Sequence, residues 1–139
     1  MLFVVSVDYT AIIVATIVGT IVGMLWYGPL FGKKWMDYMA RIGKPVSGKF
    51  DADAKKAMGL GLIVTLVMSY VLYLFVAVLS VDSIGKAVEL GIIVWLGFTA
   101  TVMANSILYE DKDKGITVIG ALYYLVSFVL MTIAIVLML

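Results

Sequence analysis

The last stretch of the chain, Ile116 to Leu139, reads ITVIGALYYLVSFVLMTIAIVLML and holds no charged residue. A hydrocarbon core about 30 Å thick is crossed by roughly 20 apolar residues in a helix, so this segment alone can span a bilayer. Its apolar residues run on without the alternation that a strand of a membrane barrel requires. Inside lipid every backbone N–H and C=O must be bonded within the segment, which makes it a helix. Toward the N-terminus three more stretches read the same way. Residues 87–109 carry one acid, Glu89, near their start, and residues 57–79 and 9–30 carry no charge.

Composition supports the same reading. The 139 residues are 64% hydrophobic and 14% charged, with a mean hydropathy of +1.15. A soluble domain is roughly 45–50% apolar and about 25% charged. A chain this short has too little interior to hide the surplus, which must face lipid. The expectation is an all-α integral membrane protein. It forms a single membrane domain, 1–139: a four-transmembrane-helix bundle with a short interfacial amphipathic helix between spans one and two. No Lys or Arg precedes the first span and no small-x-small cleavage pattern follows it, so it reads as a retained span, with Asp8 as its N-cap.

The connections are unequal in charge. Lys33, Lys34, Arg41, Lys44, Lys49, Lys55 and Lys56 lie between spans one and two, and Lys112 and Lys114 between spans three and four. Between spans two and three there is only Lys86. The excess of Lys and Arg places loops one and three in the cytoplasm and both termini outside, in the cell membrane. Within loop one, Trp35, Met36, Met39 and Ile42 share one face at helical spacing. A helix from about Lys33 to Ile42 follows, apolar side toward lipid, with Lys34 and Arg41 toward the headgroups and Asp37 able to pair with Arg41. Asp51 or Asp53 caps the next helix, and Asp82 can pair with Lys86. Loop one carries seven basic residues against Asp37, Asp51 and Asp53, an excess of about +4 that favours anionic membrane lipid.

Four constellations stand out inside the spans. Ala11, Ala15, Gly19 and Gly23 recur every four residues, a surface for close helix packing within the bundle or for self-association. Pro29 lacks an N–H and crowds the carbonyl of Leu25, so the first helix ends or kinks at Gly28. Glu89 sits near the interface within reach of Lys86, where a surface pair competes with a transport carboxylate. Depth counting puts Thr65, Thr101, Asn105, Tyr123 and Tyr124 in the cytoplasmic half, where they could join Tyr27 in one polar cluster.

The segment Trp26-Tyr27-Gly28-Pro29-Leu30-Phe31-Gly32-Lys33-Lys34-Trp35-Met36 is the most distinctive in the chain. It resembles the Trp-Tyr-x-x-x-Phe-Gly-x-x-Trp-Met signature of a family of small four-span prokaryotic membrane proteins, domain of unknown function 1761. Trp95-Leu96-Gly97-Phe98 is similar to that family's Trp-Leu-Gly-Phe stretch in the third span. The resemblance covers nearly the whole chain and implies a four-span architecture but no activity. It departs in the fourth span, where relatives carry a His and this chain has Tyr123 and Tyr124, so a metal or proton role built on that His does not carry over.

With no histidine and no cysteine, thiol and imidazole catalysis and the usual zinc ligands are absent. No phosphate loop and no metal cluster is found, and no cofactor is expected. A net charge of +1 offers nucleic acid no bulk field. The residues read as a non-enzymatic membrane protein whose partners are membrane lipid and either itself or another membrane protein. It would work as a homo-oligomer or as an accessory subunit. The alternative reading is an oligomeric transporter or channel for a small solute.

Overall fold

The structure, a computed structural model, describes residues 3–139. Among these residues the fold is entirely helical, and four helices are long and apolar enough to cross a membrane. This makes the chain a multi-pass membrane protein. The first span is α1, Tyr9–Leu25, extended by a π-helical turn at Trp26–Leu30. The short helix α2 follows at Gly32–Arg41. The second span is α3, Ala52–Val78. The third is broken by a second π-helical turn: α4 runs from Ile84 to Trp95, the π turn from Leu96 to Ala100, and α5 from Thr101 to Tyr109. The fourth span is α6, Lys114–Met138.

Local chemistry fixes the helix starts. Asp8 Oδ1 accepts from the N–H groups of Thr10 and Ala11, at 2.9 and 3.2 Å, and so caps α1. Of the two candidates for α3, Asp51 is the cap, accepting from Ala54 N at 2.9 Å. Ser83 caps α4 and Asp113 caps α6. Each side-chain oxygen satisfies donors that a helix start leaves without an intrahelical partner.

Two sequence expectations change. Of the two outcomes expected at Gly28, an end or a kink, the end does not occur. Pro29 removes one donor, and the chain answers by widening the turn, with Phe31 N donating to Trp26 O five residues back at 2.8 Å. The helix thereby reaches Leu30 before it turns. Arg41 does not pair with Asp37. Its guanidinium lies 3.9 Å from Asp113 Oδ2, joining α2 to the start of α6 and setting loops one and three side by side.

α6 is the hub, in contact with α1, α3 and α4. The core lies in the half of the bundle remote from loop one. Ala11, Ile12 and Ala15 of α1 meet Leu72, Tyr73 and Val76 of α3, Leu90 of α4, and Met131 and Ile135 of α6. Polar bonds lock this half. Thr16 Oγ1 donates to Ser69 Oγ at 2.9 Å between α1 and α3. The Tyr73 hydroxyl donates to Ser6 O at 2.7 Å and accepts from Asp8 N at 2.9 Å, tying down the segment before α1. Toward loop one the packing thins. No residue of α3 from Ala52 to Val64 is buried, nor any residue of the third span from Leu96 to Tyr109.

Candidate functional site

Two tryptophans grip α6 at the loop-one end. Trp26 Nε1 donates to Ile119 O at 3.0 Å, and Trp95 Nε1 donates to Ala121 O at 2.7 Å. Both indoles stand where an α-helix passes into a π turn. A π turn admits one extra residue and rotates everything beyond it, which is how such turns re-aim side chains.

The first π turn builds an aromatic corner. The rings of Tyr27 and Trp35 lie 6.1 Å apart, those of Tyr27 and Tyr123 5.4 Å, and those of Tyr123 and Tyr124 4.9 Å. Trp26 packs against Phe31 at 5.0 Å. Gly32 is required for the reversal into α2, because a Cβ there would lie 2.7 Å from the Tyr27 carbonyl oxygen. Lys33 is exposed, and Met36 reaches the turn at Gly48 with its terminal methyl. The corner opens onto a groove of about 540 Å³ between α1, α3 and α6, to which Gly23, Gly61 and Thr65 also contribute.

The small-residue edge of the first span faces inward. Ala11, Ala15 and Gly19 are buried and Gly23 is half-buried. A Cβ at Gly19 would lie 2.7 Å from Met131 Sδ and 2.8 Å from Thr65 Cγ2, so the edge is occupied within the chain, by α3 and α6.

The expected polar cluster is divided. Thr65, Tyr123 and Tyr124 line the groove with Tyr27, whereas Thr101 and Asn105 are exposed on the outside of the third span. The second π turn is the cause. In α4 the face toward α6 is Ala87, Leu90 and Gly91. Asn105 lies fourteen residues after Gly91, close to four whole turns of an α-helix and so on that same face. The π turn at Leu96–Ala100 inserts about one residue, roughly 100° of rotation. Met103 is thereby brought against Gly120 instead, and Asn105 is turned outward. Thr101 Oγ1 donates to Gly97 O at 2.8 Å, while the Asn105 carboxamide has no bonding partner among the described residues. Glu89 is exposed too, and Lys86 pairs with Asp82, at 2.7 Å.

Both segments that carry the family resemblance thus coincide with a π turn opened by a tryptophan bonded to α6. A family model described as protein of unknown function (DUF1761) matches residues 10–136, nearly the whole chain. The chain belongs to this family. No curated protein and no solved structure matches it. In this DUF1761 protein the stretch Trp26-Tyr27-Gly28-Pro29 lies at the corner between the first span and α2, and nothing in the family description points to catalysis. Among the described residues no three carboxylates come together in a way that could hold a metal ion.

Several residues that matter were not singled out by the sequence. Gly91 is buried, and a Cβ there would lie 2.8 Å from Val129 Cα, backbone against backbone. Thr16 and Ser69 carry a bond between α1 and α3, and Tyr73 holds the segment before α1. Gly91 had a weak signal, as a glycine mid-span in line with Ala87. The others had none, because a Thr or Ser on an apolar helix is usually satisfied by its own backbone.

Proposed function

We propose that this chain is a non-enzymatic membrane protein that acts by assembly with a second copy of itself through the outer face of its third span. The observation that carries this reading is the Asn105 carboxamide, exposed inside a span-length helix and without a bonding partner among the described residues. A polar group facing lipid gains from an interhelical bond, on average about 0.6 kcal/mol and seldom above about 1.7. Gly97 lies on the same side two turns away, and a Cβ there would meet nothing within 4 Å, so a second backbone could approach closely. Between them Phe98 is 73% exposed and Val102 60%. Two copies related by a two-fold axis would bring the same face of each together, Asn105 to Asn105.

In the membrane, loops one and three face the cytoplasm and the termini face out. The support is the excess of basic residues in those two loops, which the Arg41–Asp113 contact sets side by side.

Sedimentation equilibrium in mild detergent tests the assembly. The parent should be a dimer, and Asn105→Leu and Gly97→Phe should shift it toward monomer, while Leu at lipid-facing Ile17 should not. A parent that is monomeric, or a Gly97→Phe variant that dimerises as well as the parent, removes self-assembly through this face. A monomeric parent would turn attention to a different membrane protein as the partner.

A further inference from the structure

The groove between α1, α3 and α6 carries no charge on its walls and has hydrogen-bond donors left over. None of the residues that line it is charged, and all but Trp35 belong to a span, so it opens to lipid. Along α3 it reaches from Ala57 to Met68, about 16 Å of helix. Near its inner end Gly19, Thr65 and Met131 come together. Its volume of about 540 Å³ is that of a small-molecule site, roughly 300–1,000 Å³.

The donors decide what fits. Thr20 Oγ1 donates to Thr16 O at 2.8 Å and Thr65 Oγ1 to Gly61 O at 2.9 Å, so both threonines are satisfied within their own helices. The aromatic donors are not. Among the described residues the bonded indoles are those of Trp26 and Trp95, and the bonded tyrosine hydroxyl is that of Tyr73. Trp35, Tyr123 and Tyr124 therefore line the groove with an indole N–H and two hydroxyls that have no acceptor. The Tyr123 hydroxyl is held at the groove's edge, 3.3 Å from where a Cβ at Gly23 would lie. An indole can only donate, and in hydrocarbon an unmatched donor carries a desolvation cost that an acceptor removes.

The complement of this lining is a neutral molecule, flat at one end, whose polar atoms accept. A hydrocarbon chain offers no acceptor. The ester carbonyls of a phospholipid come with a phosphate, and no cation lines the groove to meet it. A quinone satisfies both demands, with two carbonyls on an uncharged flat ring that carries an apolar tail. We propose that the groove binds one lipid-soluble quinone. The ring lies among Trp35, Tyr123 and Tyr124, packed against their rings, and its carbonyls accept from their N–H and O–H groups. The tail runs along α3 past Gly61, where a Cβ would meet nothing within 4 Å, toward the adaptable side chain of Met68. No residue of the third span lines the groove, so the site does not depend on self-assembly.

Calorimetric titration of lipid-stripped full-length protein in mild detergent tests the site, with protein-free micelles as the blank. The probes are decylubiquinone and decylbenzene, which has the same tail on a ring without oxygens. Decylubiquinone should saturate at one per chain, and decylbenzene should bind about tenfold more weakly, the loss of one or two net hydrogen bonds. The double variant Tyr123→Phe, Tyr124→Phe keeps both rings. It should lose most of that difference by binding decylubiquinone more weakly and decylbenzene as the parent does. Gly61→Phe fills the groove and should bind neither. Gly59→Phe is its control, since a Cβ there also meets nothing within 4 Å and Gly59 does not line the groove. Ligand-free thermal unfolding should be alike for the two glycine variants, and if Gly61→Phe misfolds the tyrosine variant decides. Equal affinity for the two probes, no saturation above the blank, or parent-like preference in the tyrosine variant each overturns the proposal. So does equal loss by Gly59→Phe, or displacement of decylubiquinone by an equal amount of phosphatidylcholine, which would give the groove to ordinary bilayer lipid.

Discussion

Trp26 and Trp95 hold α6 from two sides, because the carbonyls that accept their indole N–H groups, Ile119 and Ala121, are two residues apart. Two residues on an α-helix are about 200° of rotation, so the acceptors point in nearly opposite directions. One tryptophan comes from the first span and the other from the third, and α6 lies between them. Each bond should contribute about 1 kcal/mol net. Trp26→Phe and Trp95→Phe keep an aromatic ring and remove the donor together with part of the indole's packing surface. Each should lower the thermal unfolding midpoint in detergent, and the two losses should add, since the acceptors are separate. A Trp95→Phe variant that unfolds with the parent would mean that ring packing alone fixes the third span.

The glycines of the third span should divide sharply. Gly91 meets the backbone of Val129, at a distance for an added Cβ of 2.8 Å to Cα and 3.0 Å to N, and backbone cannot swing aside as a side chain can. Gly91→Ala must push α4 from α6 where their backbones meet, an overpacking cost of about 1–3 kcal/mol. Gly97→Ala meets nothing. It should be neutral or slightly stabilising in protein kept monomeric by dilution in detergent, since Ala is a better helix former than Gly. Chemical unfolding of the two variants side by side checks the contrast.

What the sequence made legible was local. The four spans follow from length and hydropathy. The cap at Asp8, and the choice between Asp51 and Asp53 for α3, follow from short polar side chains placed just ahead of apolar runs. The loop-one helix was expected from about Lys33 to Ile42 and is observed at Gly32–Arg41. What stayed hidden was rotation. Thr101 and Asn105 share a face by spacing alone, but the direction of that face depends on the π turn between Trp95 and Thr101. A π turn leaves no composition signal of its own. Pro29 showed that something must change at the end of the first span. Whether the helix ended or widened depended on structure beyond the local sequence, where Trp26 reaches a carbonyl ninety-three residues away. The groove was half visible for the same reason: Tyr123 and Tyr124 were recognisable, whereas their meeting with Trp35 required α2 to fold back over the corner.

The Asp82–Lys86 pair gives a pH signature outside the membrane. The hydrogen bond from Lys86 Nζ, at 2.7 Å, and then its charge hold the Asp82 carboxyl below its ordinary range. A carboxylate lowered on folding contributes stability that is present above its unfolded pKa and is lost as pH falls through the folded one. The pair is exposed, so its contribution is small and screened by salt. The measurement is therefore the titration itself. Carboxyl ¹³C shifts in labelled protein should show Asp82 titrating at lower pH than in the Lys86→Gln variant, and the difference should shrink in high salt. Coincident titration curves would mean that the contact is not populated in solution.

The orientation of the chain can be checked at the cost of two local bonds, that of the Ser47 hydroxyl to Asp51 and that of the Ser83 hydroxyl to Lys86 N. The sequence has no cysteine, so a single one introduced into each loop is the only thiol in the molecule. Ser47 lies in loop one, Ser83 in loop two and Glu110 in loop three, and all three are exposed. Ser47→Cys loses the hydroxyl bonded to Asp51, but Asp51 keeps its cap on Ala54 N, so α3 should still start in place. The ten Lys and Arg residues are untouched, which leaves the topology signal intact. In intact cells a membrane-impermeant thiol reagent should label Ser83→Cys and spare Ser47→Cys and Glu110→Cys, and all three should react after the membrane is opened. Labelling of Ser47→Cys and Glu110→Cys in place of Ser83→Cys would invert the protein, with loops one and three outside. Reaction of Ser47→Cys without Glu110→Cys would contradict the arrangement in which Arg41 and Asp113 meet on one side.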